Sequence, residues 1–119
     1  MKKILIVDDE PNIVMALEFS LKKKGYNVLI ARDGEEAMTV FDSSHPKVVI
    51  LDVMMPKFDG FEVLNHIKTI QPQTKVIFLS AKSKKEDIQK GLDEGADKYF
   101  TKPFSTKKLL TEIENLYQP

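Results

Sequence analysis

Side chains able to do phosphate chemistry follow several short apolar runs of this 119-residue chain. They are Asp8, Asp9, Asp52, Ser80 and Lys102. Three carboxylates at close range drive one another toward protonation unless a cation neutralises them. Mg2+ suits such a site, because it takes a few carboxylate or carbonyl oxygens and leaves positions open for phosphate oxygens. One Mg2+, three carboxylates and a lysine have a formal charge of zero, so the metal and the lysine together would hold an added phosphoryl group.

The elements that must position these residues alternate five times between short apolar runs and segments of helical period. Val48 to Leu51 is typical of a strand buried on both faces, and it ends abruptly at Asp52. In chain order, the predicted elements are β1 Ile4 to Val7, α1 Pro11 to Lys24, β2 Asn27 to Ala31, α2 Gly34 to Ser43, β3 Val48 to Asp52, α3 Phe61 to Ile70, β4 Lys75 to Ser80, α4 Lys84 to Glu94, β5 Lys98 to Thr101 and α5 Thr106 to Tyr117. Ser83 and Glu86 are expected to form a capping box on α4, and Ser105 to cap α5.

This alternation requires parallel strands joined by right-handed crossovers. It predicts one α/β domain over residues 1–119, with a five-stranded, doubly wound (βα)5 sheet covered on both faces. Ligands of open α/β sheets bind at the carboxyl ends of the strands. If β1, β3, β4 and β5 are neighbours, the acidic residues, Ser80 and Lys102 converge on one shallow site at that edge.

Composition limits the function classes. With 18 basic and 18 acidic residues, the chain has no charge excess that favours nucleic acid or a membrane surface as a partner. The absence of cysteine removes disulfides, zinc thiolate sites and thiol nucleophiles, and fits a reducing compartment. The first apolar run stops after four residues at Asp8, too short for a signal peptide or a membrane span. We therefore expect a soluble cytoplasmic domain.

Five motifs, in order and at matching spacing, carry a family resemblance over the whole chain. They are Asp8-Asp9 after β1, Leu51-Asp52-Val53-Met54-Met55-Pro56 with Asp59-Gly60, Ser80-Ala81, Gly95 to Tyr99, and Lys102-Pro103-Phe104. The chain resembles the receiver domains of bacterial two-component response regulators. The resemblance implies the flavodoxin-like strand order 2-1-3-4-5.

It also implies the role of each site residue. Asp52 is expected to be the phosphoacceptor, attacking phosphorus in line and displacing a histidine of a partner kinase or phosphotransfer protein. Lys102 is expected to pair with one phosphoryl oxygen and the Ser80 hydroxyl to donate to another. Ala81 leaves room for the phosphodonor, and the peptide bond before Pro103 is expected to be cis. The domain would not be an enzyme beyond catalysing its own phosphorylation and dephosphorylation.

The metal ligands follow from the same resemblance. Mg2+, with Mn2+ as a substitute, is expected to bind Asp9, Asp52 and the main-chain carbonyl of Met54, and Asp8 directly or through a water molecule.

The resemblance further implies a two-state switch. Ser80 moves toward the phosphoryl group, Tyr99 swings into the vacated space, and the surface formed by α4, β5 and α5 changes. The domain would be a monomer, or a dimer through that face when phosphorylated. The alternative is that Tyr99 does not switch and is an ordinary half-buried aromatic residue of a strand.

α1 carries five consecutive apolar residues from Ile13 to Leu17, more than a surface helix needs to cover a core. Val14, Leu17 and Leu21 are assigned to the core. The residues expected to dock the helical bundle of a kinase are Asn12, Ile13 and Ala16.

Other functions fit less well. An aspartate phosphohydrolase needs an acid two positions after its nucleophile, where this chain has Met54. A flavin or nucleotide site needs a glycine- or hydroxyl-rich loop after β1, where Asp8-Asp9-Glu10-Pro11 repels phosphate without a metal. A receiver-like protein-binding module that is not phosphorylated remains the alternative. The sequence leaves open a stand-alone regulator, a phosphorelay shuttle or the receiver part of a larger protein.

Overall fold

Parallel strands and helices alternate along the chain in the computed structural model, which describes residues 2–55, 57 and 59–117. The strands are β1 Lys3–Val7, β2 Asn27–Ala31, β3 Val48–Asp52, β4 Lys75–Ser80 and β5 Lys98–Thr101. The helices are α1 Pro11–Lys23, α2 Gly34–Ser44, α3 Gly60–Ile70, α4 Lys85–Asp93 and α5 Thr106–Tyr117. Each predicted element is present, and no predicted end is displaced by more than one residue.

The strand order is β2-β1-β3-β4-β5, with every adjacent pair parallel, as predicted. The register aligns the carboxyl ends of the strands. Val7 lies opposite Leu51, Asp52 opposite Leu79, and Ser80 opposite Thr101. Residues that follow β1 and β5 therefore reach the same edge of the sheet as Asp52 and Ser80.

Two hydrophobic clusters cover the two faces of the sheet. Because successive side chains of a strand point to opposite faces, Leu5 and Leu51 belong to one cluster and Ile4 and Ile50 to the other. The first cluster includes buried residues of α2 and α3, and the second those of α1 and α5. This arrangement confirms the doubly wound fold.

Of the two helix caps predicted from the sequence, one is confirmed and one is wrong. Ser105 Oγ accepts the Lys108 N–H at 3.2 Å, which confirms its capping of α5. On α4 the capping box predicted for Ser83 and Glu86 is wrong. The helix starts one residue later than predicted, so Lys84 is the N-cap, without a side-chain capping bond, and Glu86 is the second helical residue instead of the third. In the described part of the chain, every helix is too short or too polar to cross a membrane.

Candidate functional site

Asp8, Asp52 and Lys102 meet at the carboxyl edge of the sheet. Lys102 Nζ is 3.0 Å from Asp8 Oδ2 and 3.6 Å from Asp52 Oδ2. The Lys102 N–H donates to the Ser80 carbonyl at 2.7 Å, which extends the pairing of β5 with β4 and fixes where the lysine leaves the sheet. The Lys102–Pro103 peptide bond is cis, as predicted.

Asp52 lies in an environment that opposes its ionisation. Only 5% of the residue is exposed. Burial, followed by the charge of Asp8, raises the pKa of Asp52 to about 6, while Lys102 and the Met54 N–H act in the opposite direction. Asp9 adds a smaller repulsion. The site therefore concentrates more negative charge than its lysine compensates.

Lys102 responds to the same charges. Burial by itself would lower the pKa of its ammonium group, but contacts with Glu10 and Asp8 and the charge of Asp52 raise that pKa above its ordinary value. The lysine is consequently cationic at neutral pH.

The donor set suits a hard divalent cation. Asp8, Glu10 and Asp52 each offer a carboxylate oxygen, and these oxygens lie within 4.8 Å of one another. Asp8 is fully buried, and its Oδ2 atom makes no hydrogen bond within the described residues, because the approach of Lys102 at 3.0 Å is an ion pair without hydrogen-bond geometry. A buried carboxylate oxygen in this situation is a fitting ligand for Mg2+.

The two residues that follow Asp8 lie differently with respect to this group. Asp9 is exposed and lies outside the group of three, so its role as a ligand stays a prediction. Glu10, which the sequence did not single out, reaches Lys102 Nζ at 2.8 Å. Its backbone N–H also donates to Asp8 Oδ1 at 2.9 Å. Only its position after the acidic pair could have indicated it.

The remaining predicted residues border the site. Ser80 is buried, and its Oγ accepts the Lys82 N–H at 3.0 Å, the local backbone bond typical of a strand-end hydroxyl. Ala81 is exposed beside it. Met54 is 60% exposed, and its N–H donates to Asp52 Oδ1 at 3.2 Å. Pro56, which belongs to the predicted motif, lies outside the described residues.

Tyr99 is half-buried on β5, and its hydroxyl donates to the Lys82 carbonyl at 2.9 Å. Its ring lies edge-on to Phe78, with centroids 6.2 Å apart. Ser80 and Tyr99 are thus hydrogen-bonded to the same residue, Ser80 to the N–H of Lys82 and Tyr99 to its carbonyl. The backbone of Lys82 therefore connects the site with the Tyr99 side chain on β5.

The exposed face of α1 differs in part from the prediction. Val14, Leu17 and Leu21 are buried, as predicted. Of the proposed docking residues, Asn12 and Ala16 are exposed, but Ile13 is half-buried against the core cluster. The most exposed large apolar side chains of the helix are instead Met15, at 66%, and Phe19, at 70%.

Comparison with known proteins gives a consistent picture. A family model described as the response regulator receiver domain matches residues 4–114. The chain is 42% identical over 113 residues to the alkaline phosphatase synthesis transcriptional regulatory protein PhoP of Bacillus subtilis, covering 95% of this chain and 47% of that protein. It is 47% identical over 115 residues to the probable transcriptional regulator ycf27 of Cyanophora paradoxa, covering 97% and 48%. The chain spans about half the length of the curated relatives it matches.

Solved structures resemble the whole fold. The Francisella response regulator 1452 receiver domain has a TM-score of 0.93 at 33% identity, covering 98% of this chain and 97% of that one. The response regulator TrrA of Thermotoga maritima, solved in complex with Mg2+ and BeF, has a TM-score of 0.86 at 38% identity, covering 98% and 99%.

Proposed function

Because the chain belongs to the response regulator receiver domain family, we propose that it accepts a phosphoryl group on Asp52 from a histidine kinase or a histidine phosphotransfer protein. The observation that supports this most is the placement of Asp52, a nearly buried carboxylate with a raised pKa, 3.6 Å from the Lys102 ammonium group. Burial removes the water that would otherwise solvate the carboxylate, so its negative charge depends on the cations around it.

In the proposed reaction, an Asp52 carboxylate oxygen attacks phosphorus as the bond from phosphorus to the histidine nitrogen breaks, and the product is an aspartyl phosphate. Lys102 would pair with a phosphoryl oxygen, because its ammonium group already lies beside the acceptor. The Ser80 hydroxyl would donate to another phosphoryl oxygen, and the small Ala81 would leave the approach free. The domain would catalyse only its own phosphorylation and dephosphorylation.

Mg2+ is the proposed cofactor, with Mn2+ as a substitute. Asp8, Asp9, Asp52 and the Met54 carbonyl would hold the ion, as in the family pattern. When bound, the ion would neutralise the crowded carboxylates and stabilise the charge of the transferring phosphoryl group. The buried Asp8 Oδ2, which makes no hydrogen bond within the described residues, and the raised pKa of Asp52 support this assignment.

Phosphorylation would signal to a downstream target by changing the surface formed by α4, β5 and α5. Movement of the Ser80 hydroxyl toward the phosphoryl group would release the Lys82 N–H, and Tyr99 is bonded to the carbonyl of that same residue. A rearrangement of this loop therefore provides a physical connection between the acceptor and the β5 surface.

The partner on the input side would dock on α1 beside the acceptor. Asn12 and Ala16 are exposed there, and Ile13 is half-buried. A downstream target, a dimer of the phosphorylated domain through the α4, β5 and α5 face, and a cytoplasmic location stay predictions, as does the role of any sequence that adjoins this one in a longer protein. Direct binding to nucleic acid or to a membrane is not expected of this domain.

Incubation with acetyl phosphate and Mg2+, followed by intact-mass spectrometry, tests the acceptor. We expect the mass of one phosphoryl group to be added, and this addition to disappear in Asp52→Asn and in EDTA. Asp93→Asn, which removes an exposed carboxylate of α4, is the matched control and should be labelled like the wild type. If the wild-type protein is not labelled, the receiver-like binding module is favoured instead. If Asp52→Asn is labelled, the phosphoacceptor is a residue other than Asp52.

A further inference from the structure

Glu10 is hydrogen-bonded to Lys102, and the proposed reaction requires Lys102 to change its partner. Lys102 Nζ donates a hydrogen bond to Glu10 Oε1 at 2.8 Å. Within the described residues, the ammonium group makes no other hydrogen bond. Asp8 Oδ2 is close, at 3.0 Å, but outside hydrogen-bond geometry, and Asp52 Oδ2 lies at 3.6 Å. The ammonium group thus lies nearer to Glu10 and Asp8 than to the phosphoacceptor, which it borders without a hydrogen bond.

The turn after β1 builds this contact. Asp8 Oδ1 accepts the Glu10 N–H at 2.9 Å, which fixes the backbone of Glu10 beside the buried Asp8. Glu10 is also the N-cap residue of α1, in an extended conformation, ahead of Pro11 at the first helical position. From there its side chain reaches across to the end of β5, and 92 residues separate the two ion-paired side chains.

The two partners differ in burial, which decides how easily the pair can separate. The Glu10 side chain is 56% exposed, whereas that of Lys102 is 12% exposed. A carboxylate that faces water regains its hydration when it is released, so exposed ion pairs contribute little to stability. A phosphoryl group on Asp52 would offer Lys102 a more highly charged acceptor at the position it already borders.

We propose that Glu10 is a positioning residue that holds the Lys102 ammonium group in a hydrogen bond before phosphorylation and releases it to the phosphoryl group afterwards. This rests on the proposed function, since the released lysine needs a phosphoryl oxygen as its new partner. Removing the charge of Glu10 should therefore free Lys102 in advance and strengthen binding of a phosphoryl mimic. Because the Glu10 side chain faces water, we take the upper part of the range for surface ion pairs, which corresponds to an effect of about two- to fivefold.

NMR of the Lys102 side chain tests the exchange of partners. The Cε–Hε resonance, assigned with a Lys102→Met sample, is compared in wild type, Glu10→Gln and Glu18→Gln. Glu18→Gln is the matched control, because it removes the same charge from an ion pair on the same helix, that with Lys22. We expect Glu10→Gln to shift the Lys102 resonance and Glu18→Gln to leave it unchanged. After addition of Mg2+ and beryllofluoride, the wild-type and Glu10→Gln resonances should coincide.

The same samples give the affinity for beryllofluoride at saturating Mg2+, which we expect to be about threefold tighter in Glu10→Gln and unchanged in Glu18→Gln. A Lys102 resonance that Glu10→Gln does not move before loading would overturn the proposal, and so would a difference that persists after loading. A third outcome is that Glu10→Gln shifts the Lys102 resonance before loading, but the wild type does not respond to Mg2+ and beryllofluoride. This outcome would contradict the proposed function and not the contact between Glu10 and Lys102.

Discussion

Replacing the proposed phosphoacceptor should stabilise the fold at neutral pH in the absence of a metal ion. Asp52 is 5% exposed and faces Asp8, so its ionised form is less favourable in the folded chain than in the unfolded chain. Asp52→Asn keeps the shape of the side chain and removes the charge. Lys102 keeps its contacts with Asp8 and Glu10 in the variant, so the substitution leaves no cation unpaired.

The size and pH dependence follow from the pKa. A rise from 3.8 to about 6 corresponds to about 3 kcal/mol, since each pKa unit is worth about 1.4 kcal/mol. Above about pH 6, Asp52 is ionised in both states and the folded wild type carries the whole cost. Below about pH 4, it is protonated in both states and the cost disappears. The wild type should therefore gain stability, relative to Asp52→Asn, as the pH falls from about 6 to about 4.

Urea unfolding in EDTA between pH 4 and pH 8 measures this difference. We expect Asp52→Asn to be more stable by about 2 to 3 kcal/mol at pH 7.5 and nearly equal to the wild type at pH 4. Asp93→Asn, on the exposed side of α4, should change stability by less than about 0.5 kcal/mol at either pH. Adding Mg2+ should narrow the gap at pH 7.5, because binding to the folded wild type alone stabilises it. A gap that is independent of pH, or a less stable Asp52→Asn at pH 7.5, would refute the electrostatic reasoning.

Two glycine positions give further tests. A Cβ at Gly60 would lie 2.7 Å from the backbone oxygen of Asp52. Gly60→Ala should therefore destabilise the domain by about 1 to 3 kcal/mol in urea unfolding. A variant as stable as the wild type would show that the backbone can shift at this position without loss of stability. A Cβ at Gly91 would lie 2.8 Å from Cδ2 of Tyr99, so Gly91→Ala should push the ring outward and break its bond to Lys82. The Tyr99 ring resonances measure this movement, and unchanged NMR contacts between Tyr99 and its neighbours would contradict it.

The sheet could be predicted from the sequence because β1 to β4 each contain a short apolar run with an abrupt polar end. β3 illustrates this. Val48 to Leu51 are buried on both faces of the sheet, so this run is apolar throughout, and the carboxylate of Asp52 marks the edge. Alignment of the carboxyl ends then follows from parallel pairing. The convergence of Asp8 and Lys102 on Asp52 needed only the order of the strands, which the family resemblance provided.

Side-chain detail could not be predicted in the same way. Glu10 looks like an ordinary exposed residue at a helix start, and its contact with Lys102 depends on the turn fixed by Asp8. Ile13 and Met15 are both apolar residues of α1, and two positions along a helix change the direction of a side chain by about 200°. This rotation is enough to place Ile13 half against the core and Met15 in water.

The aligned strand ends connect the stability of the domain with its proposed chemistry. Parallel pairing brings Asp52 beside Asp8, and burial prevents water from screening their repulsion. Without a compensating ion, the folded state is penalised, and Lys102 is occupied with Asp8 and Glu10 instead of offsetting the charge of Asp52 fully. A bound cation and a phosphoryl group would each relieve part of this imbalance, the first by neutralising carboxylates and the second by giving Lys102 a new partner. Removing the acceptor charge and loading the site should therefore both stabilise the fold, whereas only the intact site can respond to a phosphodonor.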